Sequence, residues 1–423
     1  MLNVKMNTIE KKSNIKVWIL FMFMCFPAFY QWLNLLFGSA SLVHLLLVLF
    51  TYIPFVYLFV FKKEPFMKTY LYFVFGLLFI FAFYSIININ NDFMFESYAL
   101  PACITLFSGI IGFFIMAIQD DPGKVKRCFK VITIILITYY YLYTFDIENS
   151  ASYEFGYDMF LGFRMLFPCL FALNFSLVDK NEIKFVERIF WIGIAILSLY
   201  VILAYGSRGP ILGIFMFFIM KYGTMFLPRK DISVLKKICV SLLVIVLMII
   251  FYSNFTNLLM AFSNYLSDMG ISSRTVQRFL SNTATYDNGR YKLFSMVWEK
   301  VNVLGYGPFS DQFYFGEGNY AHNFILELLF DFGLFGGALI IIVLVFKFVK
   351  ILKWSAYSQW YEIFVVLFSY CFGRLIFSGT FWTETNFWLL LGVGYVYLRD
   401  AKGKITDEKN KKNILQTKHS WNF

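Results

Sequence analysis

The chain has 423 residues, 59% of them hydrophobic and 15% charged, with a net charge of +11. A soluble domain carries about a quarter charged residues, so this composition excludes an ordinary soluble enzyme and points to a membrane protein. The cysteines, Cys25, Cys103, Cys128, Cys169, Cys239 and Cys371, are scattered, which indicates neither a disulfide framework nor a zinc site.

Apolar runs near the roughly 20 residues that cross a bilayer occur at 17–37, 41–61, 69–87, 98–118, 130–146, 159–178, 188–205, 209–227, 236–253, 332–350, 361–378 and 385–398. They predict an all-α polytopic bundle of about twelve transmembrane helices. The first run follows a basic stretch and has no small-residue cleavage site after it, so it reads as a retained helix. The chain then divides into helices 1–9 (1–253), a large extracytoplasmic loop (254–331), helices 10–12 (332–398) and a cytoplasmic tail (399–423). The tail is charged and is expected to be disordered.

With the N-terminus in the cytoplasm, most of the 37 lysines and arginines fall in inner segments, and the outer connections 38–40, 88–97 and 147–158 hold none. This is the positive-inside pattern. The charge is therefore an orientation signal, with some attraction to anionic lipid, and no nucleic acid is needed to explain it.

The basic residues left on or near the outer side are Arg164, Arg208, Arg274, Arg278, Arg290, Lys292, Lys300 and Arg374. The bias to arginine suits phosphate or carboxylate recognition, because the guanidinium is a planar fork. Pairing with outer acids such as Asp158, Asp287 and Glu384 is the competing explanation. Arg164 and Arg374 fall inside spans, where a charge needs a protein acid or a lipid headgroup as partner.

Tyr205-Gly206-Ser207-Arg208-Gly209-Pro210 joins the seventh and eighth runs. Ser207 is a natural N-cap and Pro210 is tolerated in a first turn. Free backbone donors, a helix N-terminus and Arg208 then converge on an anion site. A helix cap with a snorkelling arginine is the alternative. In the large loop, 258–280 is amphipathic, with Arg274 and Arg278 at i, i+4. A second amphipathic helix spans 290–303, with Leu293, Phe294, Val297, Trp298 and Val301 on one side. Asp287-Asn288-Gly289 starts it and Gly305-Tyr306-Gly307-Pro308 stops it. Arg290 opens this helix as a second candidate phosphate ligand or as a surface arginine.

The loop ends in Gly318-Asn319-Tyr320-Ala321-His322-Asn323. Asn323, Glu327 and Asp331 then repeat every four residues as a polar stripe, opposite Ile325, Leu328, Leu329 and Phe332. A helix striped at its start and apolar after Gly333 reads as one entering a membrane from the surface. His322 at its N-terminus would be held neutral by the helix dipole and by nearby arginines, which suits a general base. A satisfied interfacial histidine is the bland alternative. Glu327 and Asp331 suit helix-face partners better than catalysts. No His, Cys or carboxylate set stands at metal-ligand spacing and no nucleotide-binding loop is present. A transferase built this way would take a lipid-linked donor, with no cofactor or metal expected.

Three features in this order resemble the O-antigen polymerase and ligase superfamily: Ser207-Arg208-Gly209-Pro210; Gly289-Arg290 followed by Leu304-Gly305-Tyr306-Gly307-Pro308; and Ala321-His322-Asn323 leading to Glu327 and Gly333-Leu334-Phe335-Gly336. The resemblance is most specific over 200–340. It implies a fold similar to the multi-span glycosyltransferases that use polyprenyl-phosphate donors, and metal-independent transfer of a glycan from undecaprenyl diphosphate. It also implies that Arg208 and Arg290 bind the diphosphate and that His322 activates the acceptor hydroxyl. Ser207, Arg164, Arg274, Arg278, Arg374, Asn323 and Glu327 are the candidate substrate contacts. The family pattern has Pro-Asn after Arg164, whereas this chain has Pro168-Cys169. Phe377-Ser378-Gly379-Thr380-Phe381-Trp382 with Asn386-Phe387-Trp388 looks more like the polymerases, which extend O-antigen or capsule, than the ligases, which transfer to lipid A-core. A bacterial inner-membrane location, with a flippase and a chain-length regulator as partners, fits this reading. A flippase or transporter would instead show repeated halves and polar residues at the midplane. Other lipid-linked sugar transferases would place acids in the first outer loop, where this chain has Gly38-Ser39-Ala40.

Overall fold

The computed structural model describes residues 2–38, 40–60, 66–87, 109–149, 159–178, 183–223, 253–281, 290–315, 320–354, 358–376 and 378–420. These residues form helices and connections, with no strand among them. In chain order the helices are α1 (Leu2–Phe37), α2 (Ala40–Val60), α3 (Phe66–Ile87), α4 (Pro122–Asn149), α5 (Met159–Ser176), α6 (Phe185–Tyr205), α7 (Gly209–Gly223), α8 (Arg274–Leu280), α9 (Arg290–Lys300), α10 (Ser310–Tyr314), α11 (Phe324–Lys353), α12 (Tyr361–Leu375) and α13 (Thr385–Ser420). Residues 109–117 and 253–268 are also helical. Most of the ninth predicted span, 236–253, and the start signal Asp287-Asn288-Gly289 lie outside the described residues.

Among the described residues three helices are long and apolar enough to cross a bilayer: Ser13–Phe37, Phe185–Tyr205 and Phe324–Lys353. Shorter apolar helices cover Leu42–Leu58, Leu71–Ile87, Phe160–Ser176 and Gly209–Gly223. Large apolar side chains such as Phe50, Phe79, Ile196, Ile342 and Phe346 stand exposed on them. Such outward-facing apolar surface suits a hydrocarbon surround. This is a helical membrane protein.

The core is aromatic. Phe129 of α4 stacks on Phe171 of α5 at 4.4 Å, and Phe175 meets Trp191 of α6 at 4.9 Å. α7 and α12 approach through small residues: a Cβ on Gly373 would come within 2.9 Å of Gly213. Small residues at a crossing let two helix backbones touch, a common device in membranes. This crossing sets the α6–α7 junction against the end of α12, and the contact of Gly162 with Gly206 sets it against α5.

Three local expectations need correction. Ser207 does not cap α7. The helix begins at Gly209, and Ile211 N–H donates to Arg208 O at 3.1 Å, so Arg208 holds the capping position and Ser207 precedes it. The amphipathic stretch 258–280 is two helices, separated at Gly270–Ser273. The polar stripe of α11 faces the interior: Glu327 and Asp331 are fully buried while Ile325 is 44% exposed. The tail is helical through Ser420, continuous with the last apolar run. Its lysines and glutamates are good helix formers, and Lys404 pairs with Asp400 one turn away at 3.3 Å.

Candidate functional site

The turn at 320–323 is built by its neighbours. Asn323 caps α11, its Oδ1 accepting from Ile325 N–H at 3.0 Å and Leu326 N–H at 3.2 Å. Its Nδ2 donates to Ile376 O at 3.3 Å, just past the end of α12. Ala321 N–H donates to the Asp311 carboxylate at 2.9 Å. Val297 of α9 is buried with Ala321 and Phe330, which fixes α9, and Arg290 at its start, beside this turn. Between the two tethered residues the backbone of His322 takes the left-handed conformation, φ 51°, a region histidine enters more often than most residues.

The imidazole is held on one face by Tyr320, with ring centroids 3.8 Å apart. Tyr320 is itself pinned, because Gly379 N–H donates to its hydroxyl at 2.7 Å. His322 Nδ1 is buried and has no hydrogen-bond partner among the described residues. The imidazole pKa is pushed down to about 4, first by burial and then by the positive charges of Arg290 and Arg374. His322 is therefore neutral near pH 7. The sequence reading anticipated the direction and the arginine contribution, but burial is the larger cause.

Arg374 lies against Phe160 and Phe163, at 5.3 and 4.6 Å from their ring centres. Its Nε pairs with Glu384 at 3.3 Å, and both side chains are nearly enclosed. Its Nη1 is buried with no hydrogen-bond partner among the described residues. A buried polar atom without a partner costs about 1–3 kcal/mol. Two such atoms, Nδ1 of His322 and a donor on Arg374, thus stand at one end of the bundle.

Arg208 stands at the same end. Gly209, next to it, lies against Phe163 and Gly373, the residues that flank Arg374. Arg290 and Arg374 act on His322, while Arg208 is not among the charges that do. α8, carrying Arg274 and Arg278, is tied to the α6–α7 junction by Thr275 Oγ1, which donates to Gly206 O at 2.6 Å. Arg164 is not at this turn; it faces a separate cavity between α5 and the N-terminal helices.

Glu327 and Asn323 hold the scaffold together instead of presenting free groups to a substrate. Glu327 accepts from Thr380 Oγ1 and from Phe381 N–H. Asp331 accepts from Ser310 Oγ at 3.0 Å and Trp382 Nε1 at 2.6 Å. With Asp311 they form a buried group of carboxylates whose oxygens lie within 4.8 Å of one another. The stripe is thus the clamp that brings 378–382 and α10 to the turn carrying His322. Sequence reasoning missed Asp311, Thr380 and Tyr320, because their partners are 10 to 59 residues away and no periodicity links them.

Residues 193–341 match the family model described as O-antigen ligase. The match covers part of the chain and supports its resemblance to the O-antigen ligase and polymerase superfamily. The matched region contains Ser207, Arg208, Arg274, Arg278, Arg290, His322, Asn323 and Glu327, whereas Arg164 and Arg374 lie outside it. No curated protein and no solved structure matches the chain.

Proposed function

We propose that this protein transfers a glycan from an undecaprenyl-diphosphate carrier to the hydroxyl of a second lipid-linked repeat unit, building O-antigen or capsular polymer. The reaction takes place on the extracytoplasmic face of the bacterial inner membrane, in a bundle of about twelve spans with both termini cytoplasmic. A flippase supplies the lipid-linked units and a chain-length regulator attends the growing chain. The observation that carries this reading is the neutral imidazole of His322, with a buried unpartnered Nδ1, in the field of Arg290 and Arg374.

The acceptor oxygen attacks the anomeric carbon, and the bond from that carbon to the diphosphate oxygen breaks. The acceptor proton passes to His322, and undecaprenyl diphosphate leaves with the bonding electrons. Arg208 and Arg290 bind the diphosphate and stabilise the charge it gains. Arg374 adds a donor through Nη1, and Arg274 and Arg278 contact the glycan or its phosphates. An anionic substrate offsets the cationic field on His322 and raises its basicity, so binding prepares the base.

A ligase, which transfers the finished glycan to lipid A-core, is the second reading, favoured by the description of the matching family. The resemblance of 377–388 to the polymerases favours the first. Deletion followed by glycan gels separates them. Single repeat units on the acceptor lipid support the polymerase, full-length chains stranded on the carrier support the ligase, and unchanged glycan contradicts both.

A further inference from the structure

A cavity of about 550 Å³ lies between α1, α2, α4, α5, α12 and α13. His322, Arg208 and Arg290 do not line it. It reaches toward their site through Asn386, whose Nδ2 donates to Glu384, the partner of Arg374, at 3.1 Å, and through Tyr370, which lies in the field of Glu384 and Arg374.

Arg164 is the cation in this cavity. It is exposed although its neighbours Phe163 and Met165 are buried, so its side chain stands in open space within a packed helix. Its guanidinium lies over the Tyr143 ring at 5.8 Å. Among the described residues no carboxylate pairs with it and nothing hydrogen-bonds it. Glu384, one of the outer acids that could pair with these arginines, is bound to Arg374. A second polar atom is also unmatched: Asn386 Oδ1 is buried without a partner. Flipping that amide would set its oxygen against the Glu384 carboxylate, so the unmatched acceptor is not an assignment error.

The lining is graded. Arg164 is five residues into α5, His44 four into α2, and Asn386 opens α13. These polar groups share one end of the bundle. Deeper in, the walls are apolar, with Phe23, Leu136 and Phe167. Thr51, which also lines the cavity, lies about 10 Å further along α2 than His44 at 1.5 Å per residue, and its hydroxyl donates to Leu47 O at 2.8 Å, so it adds no free polar group to the floor. A polar, cationic rim over an apolar floor matches a molecule with an anionic head and a hydrocarbon tail. An arginine inside a membrane bundle with no counter-ion among the described residues, Asp158 lying outside them, points to a binding site for an anion, and a cavity of this volume holds a headgroup and part of a chain.

We propose that this cavity binds a lipid phosphate, with the phosphate on Arg164 and the chain running down between α1, α2 and α4, apart from the glycan-transfer site. The shared chemistry is one phosphate on a hydrocarbon chain, from a phospholipid or a polyprenyl phosphate.

The test uses delipidated full-length protein in detergent. Binding of dioleoyl phosphatidate, undecaprenyl phosphate and sodium phosphate is measured by native mass spectrometry and thermal unfolding. At least one of the two lipids should bind wild type and raise its unfolding temperature, and sodium phosphate should not. Binding of phosphatidate assigns the site to phospholipid, and binding of undecaprenyl phosphate alone assigns it to the carrier. Arg164→Gln should weaken the bound lipid by about tenfold or more, the loss of one charge-assisted contact. Val48→Trp, which fills the apolar part and leaves Arg164 intact, should do the same. His322→Ala should bind as wild type does, whether or not the transfer reading holds. Equal lipid binding by wild type, Arg164→Gln and Val48→Trp would overturn the proposal, as would a response to sodium phosphate equal to that of the lipids.

Discussion

Gly305 and Gly333 pass each other backbone to backbone. Both have left-handed φ, 83° and 73°, and a Cβ on either would overlap the main chain of the other's segment. α11 breaks at Gly333, and the strand-like stretch 302–307 fills the gap. Gly307 N–H donates to Asp331 O at 2.8 Å, Tyr306 N–H to Phe330 O at 3.1 Å, and Leu334 N–H to Asn302 O at 3.0 Å. The groups freed by the break are thus satisfied. Gly305→Ala and Gly333→Ala should each cost more than the roughly 1–2 kcal/mol of an ordinary left-handed substitution, because two backbones must also separate. The measure is the amount of monodisperse protein on size exclusion and its unfolding temperature. A variant that matched wild type in both would show that the crossing does not exist.

The stacking of Tyr320 on His322 separates two contributions. Tyr320→Phe keeps the ring and loses only the acceptor for Gly379 N–H, so it should lower glycan transfer modestly. Tyr320→Ala also frees the imidazole and should lower transfer much further. Equal transfer by the two variants, measured as polymer on gels from cells with matched protein levels, would show that the ring does not position His322.

His322 gives a pH dependence of defined sign. Its folded pKa of about 4 lies below the ordinary histidine value of 6.5, so between those values the unfolded chain binds more protons at this residue. Stability at His322 is therefore fully present above about pH 6.5 and is lost as pH falls through that window. Histidine-selective NMR of detergent-solubilised protein, with the signal assigned through His322→Ala, should show titration near pH 4. Arg290→Gln and Arg374→Gln should each move it up. A midpoint at 6.5 in wild type would contradict the burial and the cationic field together.

Glu327→Gln and Asp331→Asn test the clamp. Each substitution points an amide N–H₂ at a donor or removes an acceptor from a fully buried pair, at a cost of about 1–3 kcal/mol. Asp331→Asn should also shift the indole N–H resonance of Trp382, which donates to Asp331. An unmoved Trp382 signal and unchanged unfolding temperatures would show that these carboxylates do not hold the 380–382 turn.

Much of the bundle could be read from sequence because lipid and core impose long apolar runs. The run 159–178 became α5 at Met159–Ser176, and 188–205 became α6 at Phe185–Tyr205. Arg290 was legible as a helix start, since α9 begins there. His322 was legible as the histidine closing a polar loop, but not its left-handed backbone, which depends on tethers to Asp311 and Ile376. The stripe of Asn323, Glu327 and Asp331 was visible as a period, yet period alone does not say which way it faces. That was decided by donors on Thr380, Phe381, Ser310 and Trp382. The carboxylates of Asp311 and Asp331 meet across a turn, as do Gly305 and Gly333, and such meetings leave no local pattern.

The central claim is that an unprotonated imidazole at position 322 takes the acceptor proton. Its most direct test is His322→Ala in a strain lacking the native copy, with polymer resolved on gels and protein level checked in membranes. The account predicts normal protein level, normal insertion and no polymer, with Arg208→Ala and Arg290→Ala behaving alike. Long-chain polymer of wild-type amount from His322→Ala would contradict it.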